Sequence, residues 1–130
     1  MCIRDSITWQ GTNNTNDDFP GGSSIYDGIK AHVDNAGGNV QLSVDGSFET
    51  KPDVAIVVFG EEPYAEGHGD RETLIYQHGS KTDLALLKKL KSQGIPVVSV
   101  FISGRPMWLN AELNASDAFV AAWLLSLIHI

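Results

Sequence analysis

Blocks of apolar and polar residues follow one another along the chain, and their spacing predicts distinct elements. Ser24 precedes Ile25, Ile29 and Val33, apolar residues four positions apart that fall on one face of a helix. A serine before such a run caps the first turn by accepting a backbone hydrogen bond. The pattern therefore predicts a capped helix that ends near Asn35.

Four later segments have the patterns of strands. Residues 40–44 alternate apolar and polar positions, as a half-buried strand does. Residues 54–59 and 95–102 are almost continuously apolar, which is typical of parallel strands covered on both faces. Another apolar run lies within residues 117–124, and it makes Trp123 a predicted core residue.

A helical pattern separates the second and third of these segments. Residues 80–83, Ser-Lys-Thr-Asp, form a capping-box pattern that opens a helix. Leu84, Leu87 and Leu90 give that helix an apolar face, and Gly94 ends it. Strand, helix and strand in this order form a βαβ unit, so the sequence predicts a layered α/β domain with a parallel sheet.

Composition narrows the classes of function. The 130 residues suit one domain, and 42% hydrophobic residues with 19% charged residues argue against disorder. A net charge of -7 opposes nucleic acid or an anionic membrane as a partner, but it does not affect a neutral ligand such as a carbohydrate. The single cysteine, Cys2, allows no internal disulfide and no zinc site of several thiolates.

Two loops follow the predicted strands at the ends where parallel sheets bind ligands. The acidic loop, residues 60–71, holds three Glu, one Asp, a His and an Arg. Nearby like charges disfavour the ionised form of a carboxylic acid and so raise its pKa. A carboxylic acid that acts as a general acid at neutral pH requires such a raised pKa. A solvated acidic loop is the plain alternative. A divalent-metal site is a third interpretation, with Glu62, Glu66, His68 and Asp70 as ligands.

The second loop, residues 103–108, is called here the arginine loop. Its Arg105 has donors that suit a hydroxyl or a carboxylate, either in a ligand or in the acidic loop, and a structural ion pair is the alternative role. Trp9 and Trp108 carry flat faces that suit a sugar ring, and Trp9 beside a polar loop is the better candidate. No phosphate-binding glycine motif is present.

Four segments, in order, resemble glycoside hydrolase family 3. Residues 6–11, SITWQG, resemble the Trp-Gln-Gly segment that opens the second domain of that family. Residues 60–70, GEEPYAEGHGD, resemble its Gly-Glu-x-Pro-Tyr-x-Glu-x-x-Gly-Asp loop. Residues 102–106, ISGRP, and residues 116–124 match later segments. The resemblance is to the β-glucosidase and glucan exohydrolase group.

The resemblance implies a three-layer αβα sandwich with a mostly parallel sheet. By motif, Glu66 is the catalytic acid/base, and Trp9 flanks the sugar on the aglycone side. Arg105 is a substrate-contact or loop-support residue. The other charged residues of the loop, expected to hold or tune Glu66, are Glu61, Glu62, His68 and Asp70.

The same resemblance implies a retaining exo-acting enzyme that cleaves β-glucosides and β-glucan oligosaccharides without a metal or cofactor. Its aspartate nucleophile belongs to a first, barrel-like domain of the same longer chain, so this chain alone is expected to be inactive. Neither nucleic acid nor a membrane is an expected partner. The compartment stays open, and a periplasmic or secreted bacterial location is the expectation for the parent enzyme.

The two ends depart from the family pattern. Residues 1–6 and 125–130 resemble translated sequencing-adapter sequence, with a natural terminal strand as the alternative. The domain is then expected to occupy residues 7–124 and to be truncated at its C-terminal side. Two other functions remain open: a non-catalytic carbohydrate-binding or scaffold domain of this fold, and a flavodoxin-like domain that binds a small anion or metal.

Overall fold

Three helices and three strands make up the part of the protein that the structure describes. This computed structural model describes residues 20–62, 64 and 66–123, with only the backbone at Glu66 and His68. The elements are α1 (Ile25–Asn35), β1 (Ala55–Gly60), a 3-10 turn (Glu66–Gly69), α2 (Thr82–Ser92), β2 (Val97–Ile102), α3 (Asn110–Asn114) and β3 (Ala118–Ala121). None of the helices in these residues is long and apolar enough to cross a membrane.

The strands form one parallel sheet in the order β1-β2-β3, so the predicted α/β sandwich fold class is confirmed. Helix α2 connects β1 to β2 and packs on both, as the predicted βαβ unit requires. Gly60, the last residue of β1, pairs with Ile102, the last residue of β2. The acidic loop and the arginine loop therefore leave the sheet side by side.

The core lies between the sheet and α2. Leu87 and Leu90 of α2 are buried, as their spacing predicts. Three aromatic rings pack beside them, with centroid separations of 5.8 Å for Phe59–Tyr76, 5.5 Å for Phe59–Phe101 and 5.1 Å for Tyr76–Phe101. Tilted and edge-on pairs at these distances are favourable beyond the area that they bury.

The predicted strand at residues 40–44 is wrong. This segment lies outside the sheet, and Leu42 and Val44 are 49% and 60% exposed. The following turn instead uses side-chain hydrogen bonds, because Asp45 Oδ1 accepts from the hydroxyl of Ser43 at 3.1 Å and from the hydroxyl of Ser47 at 2.7 Å. Serine and aspartate offer the backbone such local bonds in place of a strand ladder.

The two predicted helix caps have different outcomes. Helix α1 has a capping box in which Ser24 and Asp27 bond each other's backbone N–H, at 3.1 and 3.0 Å. The capping box predicted for α2 is wrong, since Lys81 precedes the helix in the left-handed conformation with φ +50° and no side-chain cap. The Asp83 N–H is bonded from outside the helix, by Gln77 Oε1 at 3.1 Å.

Two features near the end of the chain also differ from the sequence pattern. Helix α3 was not predicted, since its five residues are too short for a hydrophobic period to show. Trp123, a predicted core residue, is 53% exposed with φ +56° and lies beyond β3. The reason is that β3 is an edge strand of the described sheet, and most of its residues are exposed.

Candidate functional site

The acidic loop begins with a buried carboxylate. Glu61 continues the β1–β2 ladder by one bond, from its N–H to the Ile102 carbonyl at 3.0 Å. Its side chain is only 2% exposed, and Oε2 accepts a 2.6 Å hydrogen bond from the Ser103 hydroxyl at the start of the arginine loop. This bond joins the two loops directly at the edge of the sheet.

Two arginines neutralise this carboxylate. Glu61 Oε1 lies 3.4 Å from Arg71 Nη1 and 3.4 Å from Arg105 Nε, within ion-pair range but without hydrogen-bond geometry. A buried carboxylate is costly unless it is paired, so the two arginines help to stabilise Glu61 in this position. Arg71 is 43% exposed, whereas Arg105 is 19% exposed and belongs to the site interior.

Arg105 holds the acidic loop at two further points. Its Nε donates to the Tyr64 hydroxyl at 2.6 Å, and its Nη1 donates to the Gly69 carbonyl at 2.5 Å. The guanidinium carbon lies 3.8 Å from the centroid of the Tyr64 ring, a cation–π distance. The planar guanidinium therefore contacts the loop before the Glu66–Gly69 turn and at the last residue of that turn.

The close packing of the Tyr64 ring against residue 69 requires a glycine at that position. A Cβ at Gly69 would lie 2.5 Å from Cδ2 and 2.9 Å from Cε2 of the Tyr64 ring. At Gly67, two residues earlier in the same turn, a Cβ would meet no atom of the described residues within 4 Å. Only the second of these two glycines is fixed by packing.

The loops are also joined farther along the chain. Ile75 and Trp108 form an isolated parallel bridge, in which the Trp108 N–H donates to the Leu74 carbonyl at 2.9 Å and the Tyr76 N–H to the Trp108 carbonyl at 3.3 Å. Trp108 itself is 63% exposed. The bridge holds the segment that follows the acidic loop against the arginine loop.

Tyr76 connects this segment to the end of β1. Its hydroxyl lies 2.8 Å from the Gly60 carbonyl and 2.6 Å from Asp83 Oδ2, so one phenolic proton faces two acceptors. Burial, followed by the hydrogen bond to Asp83 and its charge, raises the pKa of Tyr76 well above its usual value. The phenol is therefore neutral and serves as a structural donor.

A cavity of about 570 Å³ adjoins Glu61. It lies between the end of β1, helix α2 and residues 44–45. Glu61, Glu62 and Arg71 line it, but Arg105 does not. The cavity therefore shares Glu61 with the Arg105 network but is not lined by Arg105 itself.

The structure brings together some of the predicted site residues. Arg105 pairs with Glu61, which is one of the alternatives stated for Arg105, and Glu66 begins the 3-10 turn whose last residue Arg105 contacts. Glu62 and Asp70 are exposed. The side chains of Glu66 and His68 lie outside the described residues. Trp9 lies outside them as well.

Sequence reasoning missed two residues of this network. Ser103 and Tyr64 were noted only as letters in the family motifs, since neither carries a charge that marks it. In the described part of the chain, no three His, Cys, Asp or Glu side chains come close enough to hold a metal ion. Two ligands of the metal interpretation, Glu66 and His68, are not among the side chains described, so that interpretation stays untested.

Comparison with known proteins identifies the family. Residues 5–126 match the sequence model of the glycosyl hydrolase family 3 C-terminal domain. A lysosomal beta glucosidase of Dictyostelium discoideum is 33% identical over 131 residues, covering 88% of this chain and 16% of that protein.

A solved structure agrees with the family match. The crystal structure of an exo-1,3/1,4-beta-glucanase from a Pseudoalteromonas species is 63% identical, with a TM-score of 0.87 over 90% of this chain and 15% of that one. A variant of the same enzyme matches with equal identity and TM-score. The chain spans less than a fifth of each of these relatives. The resemblance seen in the four sequence motifs is confirmed: this chain belongs to glycoside hydrolase family 3, as the C-terminal domain of a β-glucosidase and exoglucanase family.

Proposed function

We propose that this domain, residues 7–124, carries the general acid/base of a retaining, exo-acting β-glucosidase or glucan exohydrolase, and that Glu66 is that residue. The carrying observation is the position of the Glu66–Gly69 turn. It follows the carboxyl end of β1 in a parallel sheet, where ligands bind, and Arg105 holds it through the Gly69 carbonyl. The family match, over residues 5–126, includes the whole proposed domain.

The proposed reaction has two steps. Glu66 donates its proton to the glycosidic oxygen as the bond from that oxygen to the anomeric carbon breaks, and the aspartate nucleophile of the other domain bonds to the anomeric carbon. Glu66 then takes a proton from water while the water oxygen displaces the aspartate. Retention of configuration requires the two carboxyl groups to stand about 5 Å apart across the bond.

Other residues have supporting roles in this proposal. Trp9 stacks on the sugar at the aglycone side, a role that the Trp-Gln-Gly motif supports. The contacts of Arg105 with Glu61, Tyr64 and Gly69 favour loop support over direct substrate contact, since three of its interactions are directed into the protein. The substrates are β-glucosides and β-glucan oligosaccharides, in keeping with the names of the two relatives.

The test is Glu66→Ala in the longer enzyme that contains the barrel domain. We expect kcat/KM for cellobiose, whose leaving group needs a proton, to fall about 10²- to 10⁴-fold. For a dinitrophenyl β-glucoside, whose leaving group needs none, kcat/KM should stay near the wild-type value. Its kcat should fall, because the second step has lost its general base, and azide should restore kcat and give the β-glucosyl azide.

Two results would contradict the assignment. Near wild-type hydrolysis of both substrates would mean that the acidic loop is structural. Sugar binding without hydrolysis in the unmodified enzyme would favour the non-catalytic carbohydrate-binding domain instead.

A further inference from the structure

We propose that Arg105 and Tyr64 are positioning residues that set the orientation of the Glu66 carboxylate. This inference rests on the proposed acid/base function of Glu66. Tyr64 precedes Glu66 by two residues and Gly69 follows it by three. One guanidinium, from the neighbouring loop, bonds both the Tyr64 hydroxyl and the Gly69 carbonyl. The segment that carries Glu66 is thus fixed at both of its ends by a single planar group.

The guanidinium itself is held in place. Its Nε faces Glu61 Oε1, and Glu61 is buried against the Ser103 hydroxyl. The backbone of Arg105 donates to the same hydroxyl at 3.2 Å. Because the guanidinium is planar and contacts Glu61, Tyr64 and Gly69 together, it cannot rotate without breaking several of these contacts. The orientation of Arg105 is therefore transmitted to the turn.

Gly69 provides the closest test of this contact. The Tyr64 ring lies where a side chain at position 69 would begin, and Arg105 Nη2 would lie 3.4 Å from that added Cβ. An alanine there must displace the ring from the guanidinium. Gly67 belongs to the same turn, its added Cβ would contact none of the described residues, and it shows no positive φ, so Gly67→Ala is the matched control.

A displaced turn should affect proton donation selectively. A misplacement of about 1 Å in a reacting group can lower a rate about 10²-fold. We expect Gly69→Ala, in the longer enzyme, to lower kcat/KM for cellobiose about 10²-fold. The value for the dinitrophenyl β-glucoside should change less than about threefold, since that leaving group needs no proton. Gly67→Ala should match the wild type on both substrates.

Arg105→Lys provides a second variant that keeps the charge. Lysine lacks the planar pair of donors, so we expect the same selective loss for cellobiose. In the Glu66→Ala background, Gly69→Ala and Arg105→Lys should cause no further loss, because residues that act through Glu66 are not additive with its removal. The value of kcat/KM for the activated substrate, whose first step needs no proton from Glu66, reports the folded fraction in every variant.

The outcomes separate this inference from the proposed function. If Glu66→Ala shows the dependence on leaving group but Gly69→Ala and Arg105→Lys do not, the positioning role is overturned and the acid/base assignment stands. Equal losses on both substrates, or additive losses in the Glu66→Ala background, also overturn it. If Glu66→Ala itself shows no dependence on the leaving group, the proposed function fails first.

Discussion

The contact between the acidic loop and the arginine loop depends on the buried carboxylate of Glu61. Three polar groups surround it: the Ser103 hydroxyl and the guanidinium groups of Arg71 and Arg105. Only the Ser103 contact has the geometry of a hydrogen bond among these. A buried carboxylate needs hydrogen bonds as well as opposite charge, so the Ser103 hydroxyl contributes to the stability of the folded protein.

Ser103→Ala should therefore destabilise the protein by about 1–3 kcal/mol, the cost of leaving a buried polar group without its hydrogen bond. Ser92→Ala is the control, since the Ser92 hydroxyl donates to the Lys89 carbonyl at the exposed end of α2. That change should stay within about 0.5 kcal/mol. Urea unfolding of the two variants measures both values, and equal losses would contradict a special role for Ser103.

At the scale of elements, the strands and helices are joined through side chains that the local sequence does not pair. Lys81 Nζ, at the start of α2, donates to the Tyr76 carbonyl at 2.7 Å and pairs with the buried Glu112 of α3 at 3.1 Å. Asp117 precedes β3, and its carboxylate accepts from the Val97 N–H at 2.9 Å. Each contact fixes where one element begins relative to another.

Asp117 should make stability depend on acid pH. The Val97 N–H, followed by Lys91, lowers the pKa of the Asp117 carboxyl below its usual value. A lowered pKa stabilises the folded state above the pKa of the unfolded chain, about 3.9, and this contribution is lost as pH falls through the folded value. Asp117→Asn should thus lower the thermal midpoint at about pH 6, with the difference from wild type disappearing near about pH 2.

The matched control is Asp53→Asn, a change at an exposed aspartate before β1. It gives the background effect of removing one negative charge. A difference between Asp117→Asn and wild type that stays constant between the two pH values would contradict the electrostatic part of this contact.

At the scale of the whole molecule, loops cover the carboxyl edge of the sheet, while apolar side chains of two strands are exposed. The carboxyl edge of the sheet is closed by the two braced loops, whereas Ile56 of β1 and Val120 of β3 are 43% and 48% exposed. Parallel sheets are normally covered on both faces. The chain spans about 15% of the related exo-glucanase, in which this domain is one part of a longer protein.

The proposed division of labour predicts that this chain alone hydrolyses no aryl β-glucoside, since the nucleophile belongs to the other domain. Release of nitrophenol by the isolated chain, compared with the longer enzyme at equal concentration, measures this directly. Background release should be identical in the chain and its Glu66→Ala variant. Activity that disappears in the variant would show that the chain holds a complete site.

Much of the fold and part of the site followed from local patterns. The β-branched runs that became β1 and β2, the leucine spacing of α2 and the Ser24 cap of α1 depend on neighbours in sequence, and all were predicted. The strand predicted at residues 40–44 and the core position predicted for Trp123 were wrong. An alternating or apolar pattern does not show whether a partner strand lies beside the segment.

The sequence by itself determined the family, the α/β class and the two loops that carry the chemistry, since motif order and periodicity are properties of the chain. Only the tertiary structure decided how those loops are joined. Ser103 and Tyr64 lie 42 and 41 residues from their partners Glu61 and Arg105. Contacts at such separations form because adjacent parallel strands end at the same level, a relation of register that no local pattern encodes.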